Sequence, residues 1–214
     1  MGDDSTDQAI SRYREYMREV KDRIAVIERA LIAHRNEGTL TGFQESDIEL
    51  CFLQFRKCLE LVMFASLVAH FHAGVDLQRH MYEKEWSASK LLNFLKRTNP
   101  DFFPKALSRV NSENGGLSEM IEVQGSLSIR EFSELYDRVC GPFLHASRKS
   151  AFLGKQEELF GEIEDWFRKI CRLLNSHWVK VNEETVFAVL METNTGGSIQ
   201  VAIFSEFPSK SSKT

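Results

Sequence analysis

Three arginine–histidine pairs in this chain stand at a spacing that suits phosphodiester chemistry: Arg29 with His34, Arg138 with His145, and Arg172 with His177. Cutting RNA without a metal requires a base for the ribose 2′-hydroxyl, an acid for the leaving oxygen and a cation beside the phosphorane. Histidine and arginine meet those needs near neutral pH. With fifteen arginines and six histidines in the chain, roughly one such spacing is expected by chance, so context has to choose. Arg29 and His34 fall at the end of a helix, where the dipole favours cations in any case. His177 continues an apolar stripe beside Trp178, the place of a half-buried packing histidine. Between Arg138 and His145 the Gly141-Pro142 dipeptide interrupts a helix, and a broken helix lets polar side chains converge on a pocket. Tyr136 is close enough to join them. The competing structural role pairs Arg138 with a helix carboxylate and leaves His145 to cap a helix.

Other chemistries find less support. His70, His72 and His80 form an H-x-H with a third histidine, but no nearby carboxylate or cysteine completes a recognised ligand set. They read as surface or helix-end residues, and neither a metal nor a cofactor is expected. The chain has no glycine-rich phosphate loop, no GxSxG, no HExxH and no cysteine pair at zinc spacing.

The elements that must position these residues are helical for most of the chain. Ile10, Tyr13, Met17, Val20, Ile24, Ile27 and Leu31 alternate at three and four, one stripe of a long helix that stops in NEGTLTG, with Gly38 and Gly42 as its flexible positions. The stretch SDIE predicts a capping box, Ser46 with Glu49, opening a second helix to about His70. Beyond Leu61 that helix is apolar on nearly every side, as expected of the central element of a bundle, and Arg56 pairs by default with Glu60 one turn on. Residues 71–85 read as a loop or short turn. Trp86, Leu91, Leu92 and Leu95 give a short helix that must end before Asn99-Pro100. Residues 99–127 form a long punctuated connection in which MIEVQG is a candidate strand. SLSIREF repeats the capping-box pattern with Ser128 and Glu131, and a last helix is predicted over 155–180 on Leu159, Ile163, Trp166, Ile170, Leu173 and His177. TVFAVLMET and SIQVAIFSEF, flanking a turn-rich NTGG, predict a C-terminal β-hairpin, which needs a surface to pack on.

Composition bounds the reading. A chain of 214 residues that is 43% hydrophobic can bury a sizeable core, and its formal net charge of −4 gives no global drive toward phosphate polymers. Any nucleic-acid contact therefore needs a local basic patch. Cys51, Cys58, Cys140 and Cys171 show no paired spacing and read as reduced thiols of an intracellular protein. The acidic start MGDDSTDQ lacks the features of a secretory signal, and LVMFASLVA is too short for a membrane span.

The late segment LYDRVCGPFLHAS on an all-helical core resembles HEPN domains, helical bundles of bacterial toxins, antiphage systems and CRISPR-associated nucleases whose active members carry R-x(4–6)-H. FRKCLELVMFASLVAH and WSASKLLNFLKRTNPDFFPK, with that segment, are similar to stretches of a bacterial HEPN-like family. The resemblance covers residues 45–180 and excludes the hairpin. It implies a mainly α helical bundle, placed at 1–181, to which the residue pattern adds a C-terminal β-hairpin at 182–207, packed on the bundle or a dimer partner, and a disordered tail at 208–214. It implies Arg138 and His145 as the RNase pair, with Tyr136 positioning, and two protomers sharing a composite cleft. The expected setting is a bacterial cytoplasm, with an RNA substrate, a homodimer, a protein partner such as an antitoxin, and no membrane. Val139 stands where active members carry a polar residue. The rival expectation is a noncatalytic binding or regulatory module in which the same residues hold the bend together and the hairpin docks a partner.

Overall fold

The computed structural model describes residues 3–72, 88–110, 119–143, 154–191 and 198–204. Within them the chain is mainly helical with a small antiparallel sheet. Helix α1, Asp3–Arg35, buries Tyr13, Met17, Val20, Ile27 and Leu31 of the predicted stripe and half-buries Ile10 and Ile24. Its end is a Schellman turn, in which Gly38 N–H reaches the Ala33 carbonyl at 2.9 Å and Glu37 N–H reaches that of His34 at 3.0 Å. The left-handed position of that turn belongs to Glu37, at φ 56°, rather than to Gly38.

Helix α2, Gln44–His72, lies at the centre, and its buried residues occur on every side from Leu59 to His70. It opens two residues before the predicted cap. Instead of Ser46, the carboxylate of Asp47 reaches back to the amides of Leu40 and Thr41, at 2.7 and 2.8 Å. Buried Asp47 therefore fastens the α1–α2 connection, because free amides and a desolvated carboxylate satisfy one another there. Helix α3, Ala88–Thr98, buries Leu91, Leu92 and Leu95 and stops before Asn99-Pro100 as predicted.

The connection expected at 99–127 holds a hairpin, strands β1 (Lys105–Val110) and β2 (Glu119–Glu122). Helix α4 begins at Ile129 with the predicted capping box of Ser128 and Glu131 in place. It continues through a π-helical turn, Leu135–Val139, into Cys140–Phe143. Helix α5, Gln156–Leu174, carries Leu159, Ile163, Trp166, Ile170 and Leu173 inward. Its end corrects the expected 155–180 helix, because residues 176–180 form strand β3. His177, four residues after Leu173, fits a helical stripe, yet it also alternates with Val179, and the β-rich SHWVKV follows the second pattern.

Strands β4 (Val186–Leu190) and β5 (Gln200–Phe204) form the predicted hairpin, with Ala188 opposite Ala202 and Val189 opposite Val201. That hairpin is one edge of a five-stranded antiparallel sheet in the order β2-β1-β3-β4-β5. The larger sheet corrects the expectation of a two-stranded appendage. Sheet and helices share one core: the Tyr13 ring from α1 lies 5.7 Å from Phe187 on β4, and Leu127 N–H bonds to the Lys169 carbonyl of α5 at 3.1 Å.

Candidate functional site

The segment that carries Tyr136 and Arg138 is the π turn. Its wider winding follows from the closing bond of Cys140 N–H to the Leu135 carbonyl, five residues back. The helix does not stop at Gly141-Pro142 as expected. Proline cannot donate to the carbonyl four residues earlier and its ring crowds that carbonyl, and the carbonyl concerned, that of Arg138, lies inside the widened turn. The irregularity thus falls upstream of the proline, and the helix runs on to Phe143, whose ring stacks on Phe52 of α2 at 4.1 Å and 11°.

Two charged side chains of α2 hold the turn. The Arg56 guanidinium lies 4.0 Å from the centre of the Tyr136 ring, donates to the Tyr136 hydroxyl at 2.9 Å and to its carbonyl at 3.4 Å. The hydroxyl in turn donates to Glu60 Oε1 at 3.0 Å, and Arg56 Nε completes the ring of contacts 3.5 Å from the same oxygen. The predicted Arg56–Glu60 pair is therefore present, with a third member that lies seventy-six residues beyond Glu60. Nothing in the sequence spacing announces that member. Tyr136 is only 3% exposed and its hydroxyl is engaged in both directions, so it positions the turn rather than exchanging a proton. Arg138 sits on the turn two residues on, and Val139 is half-buried against the core. The Arg138 side chain and all of His145 lie outside the described residues. Burial pushes the neighbouring Cys140 thiol up to about 12, so it stays protonated and unreactive.

The described histidines His34, His70, His72 and His177 act in packing. His34 stacks on Phe160 at 3.7 Å and 8°, with Nε2 3.3 Å from the Glu157 carboxylate. His177 is buried, and its Nδ1–H donates to the Leu174 carbonyl at 3.0 Å. Its Nε2 then accepts from the Tyr13 hydroxyl at 3.0 Å. Desolvation of the charged form holds His177 down at about 4, so the ring is neutral at physiological pH. His70 repeats this arrangement: Nδ1–H donates to the Ser66 carbonyl at 2.7 Å and Nε2 accepts from Asn99 Nδ2 at 3.0 Å, and burial lowers its pKa too. Asn99 Nδ2 also donates to the Lys180 carbonyl at 2.7 Å, so His70 ties α2 to the end of β3. Of the H-x-H set, His72 meets Phe187 edge-on at 6.0 Å and His80 lies outside the described residues. No group of three metal-capable side chains comes together among the described residues.

A second concave feature lies on the sheet. A groove of about 680 Å³ runs over β3, β4 and β5 between the β1–β2 hairpin and the end of α5, with Arg172 on its lining. No helix among the described residues is long and apolar enough to cross a membrane. Comparison of the chain with protein-family models, curated proteins and solved structures finds no match.

Proposed function

We propose that this protein is a HEPN-like, metal-independent endoribonuclease of a bacterial toxin or antiphage system, with its chemistry on the π turn of α4. Arg138 is the cation that stabilises the phosphorane, His145 the base that activates the ribose 2′-hydroxyl, and Tyr136 the positioning residue. One observation carries the reading. A π turn exchanges well-aligned helical hydrogen bonds for a strained register and recurs where function uses the distortion. Here that turn spans LYDRV, the segment singled out by the arginine–histidine spacing, and the half-buried pair Arg56 and Glu60 holds it in place. Homodimerisation brings two such turns to one cleft, and a cytoplasmic setting supplies the RNA.

The test is incubation of the purified protein with RNA in EDTA, beside folded Arg138→Ala and His145→Ala variants. Cleavage by wild type that both variants lose supports the reading. Unchanged cleavage in both, or none by wild type across varied RNAs, removes it. The second reading, a noncatalytic binding module, draws on Val139, which packs where active members carry a polar residue, and on the open groove of the sheet. Absence of cleavage together with a saturable protein contact favours that reading.

A further inference from the structure

The groove on the sheet has an apolar floor, two bulky margins and one cation. Its floor is the row of Ala188 and Ala202, which face each other across the β4–β5 ladder. Leu190 and Phe204 border it and are 38% and 52% exposed, and both project from the hairpin that the nuclease reading leaves unused. A sheet face carrying large apolar side chains is stable when another element covers it.

The cation decides what kind of element. Arg172 is exposed at the α5 end of the groove, and no hydrogen bond or ion pair joins it to another described residue. The described lining contains no carboxylate. Its guanidinium rests against Gly125, at φ 73°, where an added Cβ would come within 3.0 Å of Arg172 Nη1, so the absence of a side chain there makes room for it. Among the described residues that line the groove, a second copy laid against it would bring another arginine and no carboxylate, which opposes self-association through the groove. An extended segment is equally ill-suited. β3 and β4 are paired on both sides and β5 on one, and all these backbone groups point along the plane of the sheet, so a strand lying over the floor would find no main-chain partners there. A helix satisfies its own backbone and presents only side chains.

We propose that this groove docks an amphipathic helix of another protein, its apolar face on Ala188 and Ala202 and an aspartate or glutamate on Arg172. Arginine and an exposed aromatic residue beside a small-residue floor are the anchors expected of such a contact. The proposal goes beyond the nuclease reading and is independent of it, since that reading rests on the π turn of α4.

The experiment is selection of a display library of random 18-residue peptides on the full chain, with counter-selection on Ala202→Trp, which fills the floor at an exposed position. Far-ultraviolet circular dichroism and thermal melting verify that Ala202→Trp and Arg172→Glu remain folded. Clones with apolar residues three and four apart and an acidic residue are expected, helical when bound and excluded by Ala202→Trp. Arg172→Glu weakens them by about 10-fold or more, and replacing the peptide's acid by lysine restores binding to that variant. Failure to recover any clone that distinguishes wild type from Ala202→Trp overturns the proposal, as does indifference of every clone to Arg172→Glu. A dimer that Ala202→Trp dissolves in light scattering assigns the groove to a second copy and also overturns it. RNA cleavage in EDTA is read separately on the same preparations, so loss of one reading leaves the other measurable.

Discussion

Acid should loosen this protein through its buried histidines before the carboxylates are protonated. His177 is buried between the Tyr13 hydroxyl and the Leu174 carbonyl, and its folded-state pKa of about 4 lies below the ordinary value of 6.5. A histidine held neutral by burial takes up its proton more readily in the unfolded chain. Between about pH 6.5 and pH 4 the unfolded state therefore binds more protons, and stability falls as the pH falls through that window. The full difference corresponds to about 3 kcal/mol, of which about 2 kcal/mol is lost by pH 5. His70 shifts in the same direction and adds to the effect. Urea unfolding followed by tryptophan fluorescence at pH 7, 6 and 5 measures it, with His177→Gln as the comparison. That variant is less stable at pH 7, since it disturbs a packed site, but its stability should decline less steeply, by about 2 kcal/mol over the same interval. Parallel declines for the two proteins would refute the account, because the carboxylates are common to both and only the imidazole differs.

Three further outcomes follow from single contacts. Tyr136→Phe leaves Arg56 and Glu60 paired but removes two hydrogen bonds to charged, partly exposed groups, a loss of about 1–2 kcal/mol seen as a lower urea midpoint at unchanged m. Glu37→Gly relieves a left-handed position at the end of α1 and should raise the midpoint by about 0.5–1 kcal/mol. Ser128→Ala dismantles the capping box of α4, where the hydroxyl accepts from Glu131 N–H at 3.3 Å, and should cost about 1 kcal/mol.

The helical core was legible because it depends on periodicity. The stripe from Tyr13 to Leu31, the apolar centre of α2 and the inward row of α5 each repeat at helical spacing, and each is buried. Caps were legible only where side chain and backbone compete locally. Ser128 and Glu131 satisfy each other within one turn, as their spacing predicts. Ser46 and Glu49 share that spacing, yet the helix opens earlier, at Gln44, and the Asp47 carboxylate inside it binds the amides of Leu40 and Thr41 in the preceding connection. The sheet was half visible. A hairpin announces itself by alternation around a turn, which marked β4 and β5, whereas β1 joins the larger sheet by setting Lys105 opposite Trp178 and Ala106 opposite His177, partners distant in sequence.

The same distinction explains the candidate site. Spacing brought Tyr136 and Arg138 into view and brought Arg56 and Glu60 into view as a helical pair, but it treated them as two features. They are one structure because a π turn on α4 presents the Tyr136 ring and carbonyl to α2, and no local pattern encodes which helix lies opposite. If the turn exists to hold Arg138 in a working orientation, Arg56→Lys separates that purpose from stability. Lysine keeps a charge near Glu60 but cannot reproduce the planar fork that meets hydroxyl, carbonyl and ring together. Cleavage in EDTA should then fall by about 10-fold or more in kcat with little change in KM, because substrate contacts survive and the turn's orientation does not. Equal kcat in a folded Arg56→Lys protein would show that the network serves the fold alone, and would favour the noncatalytic module.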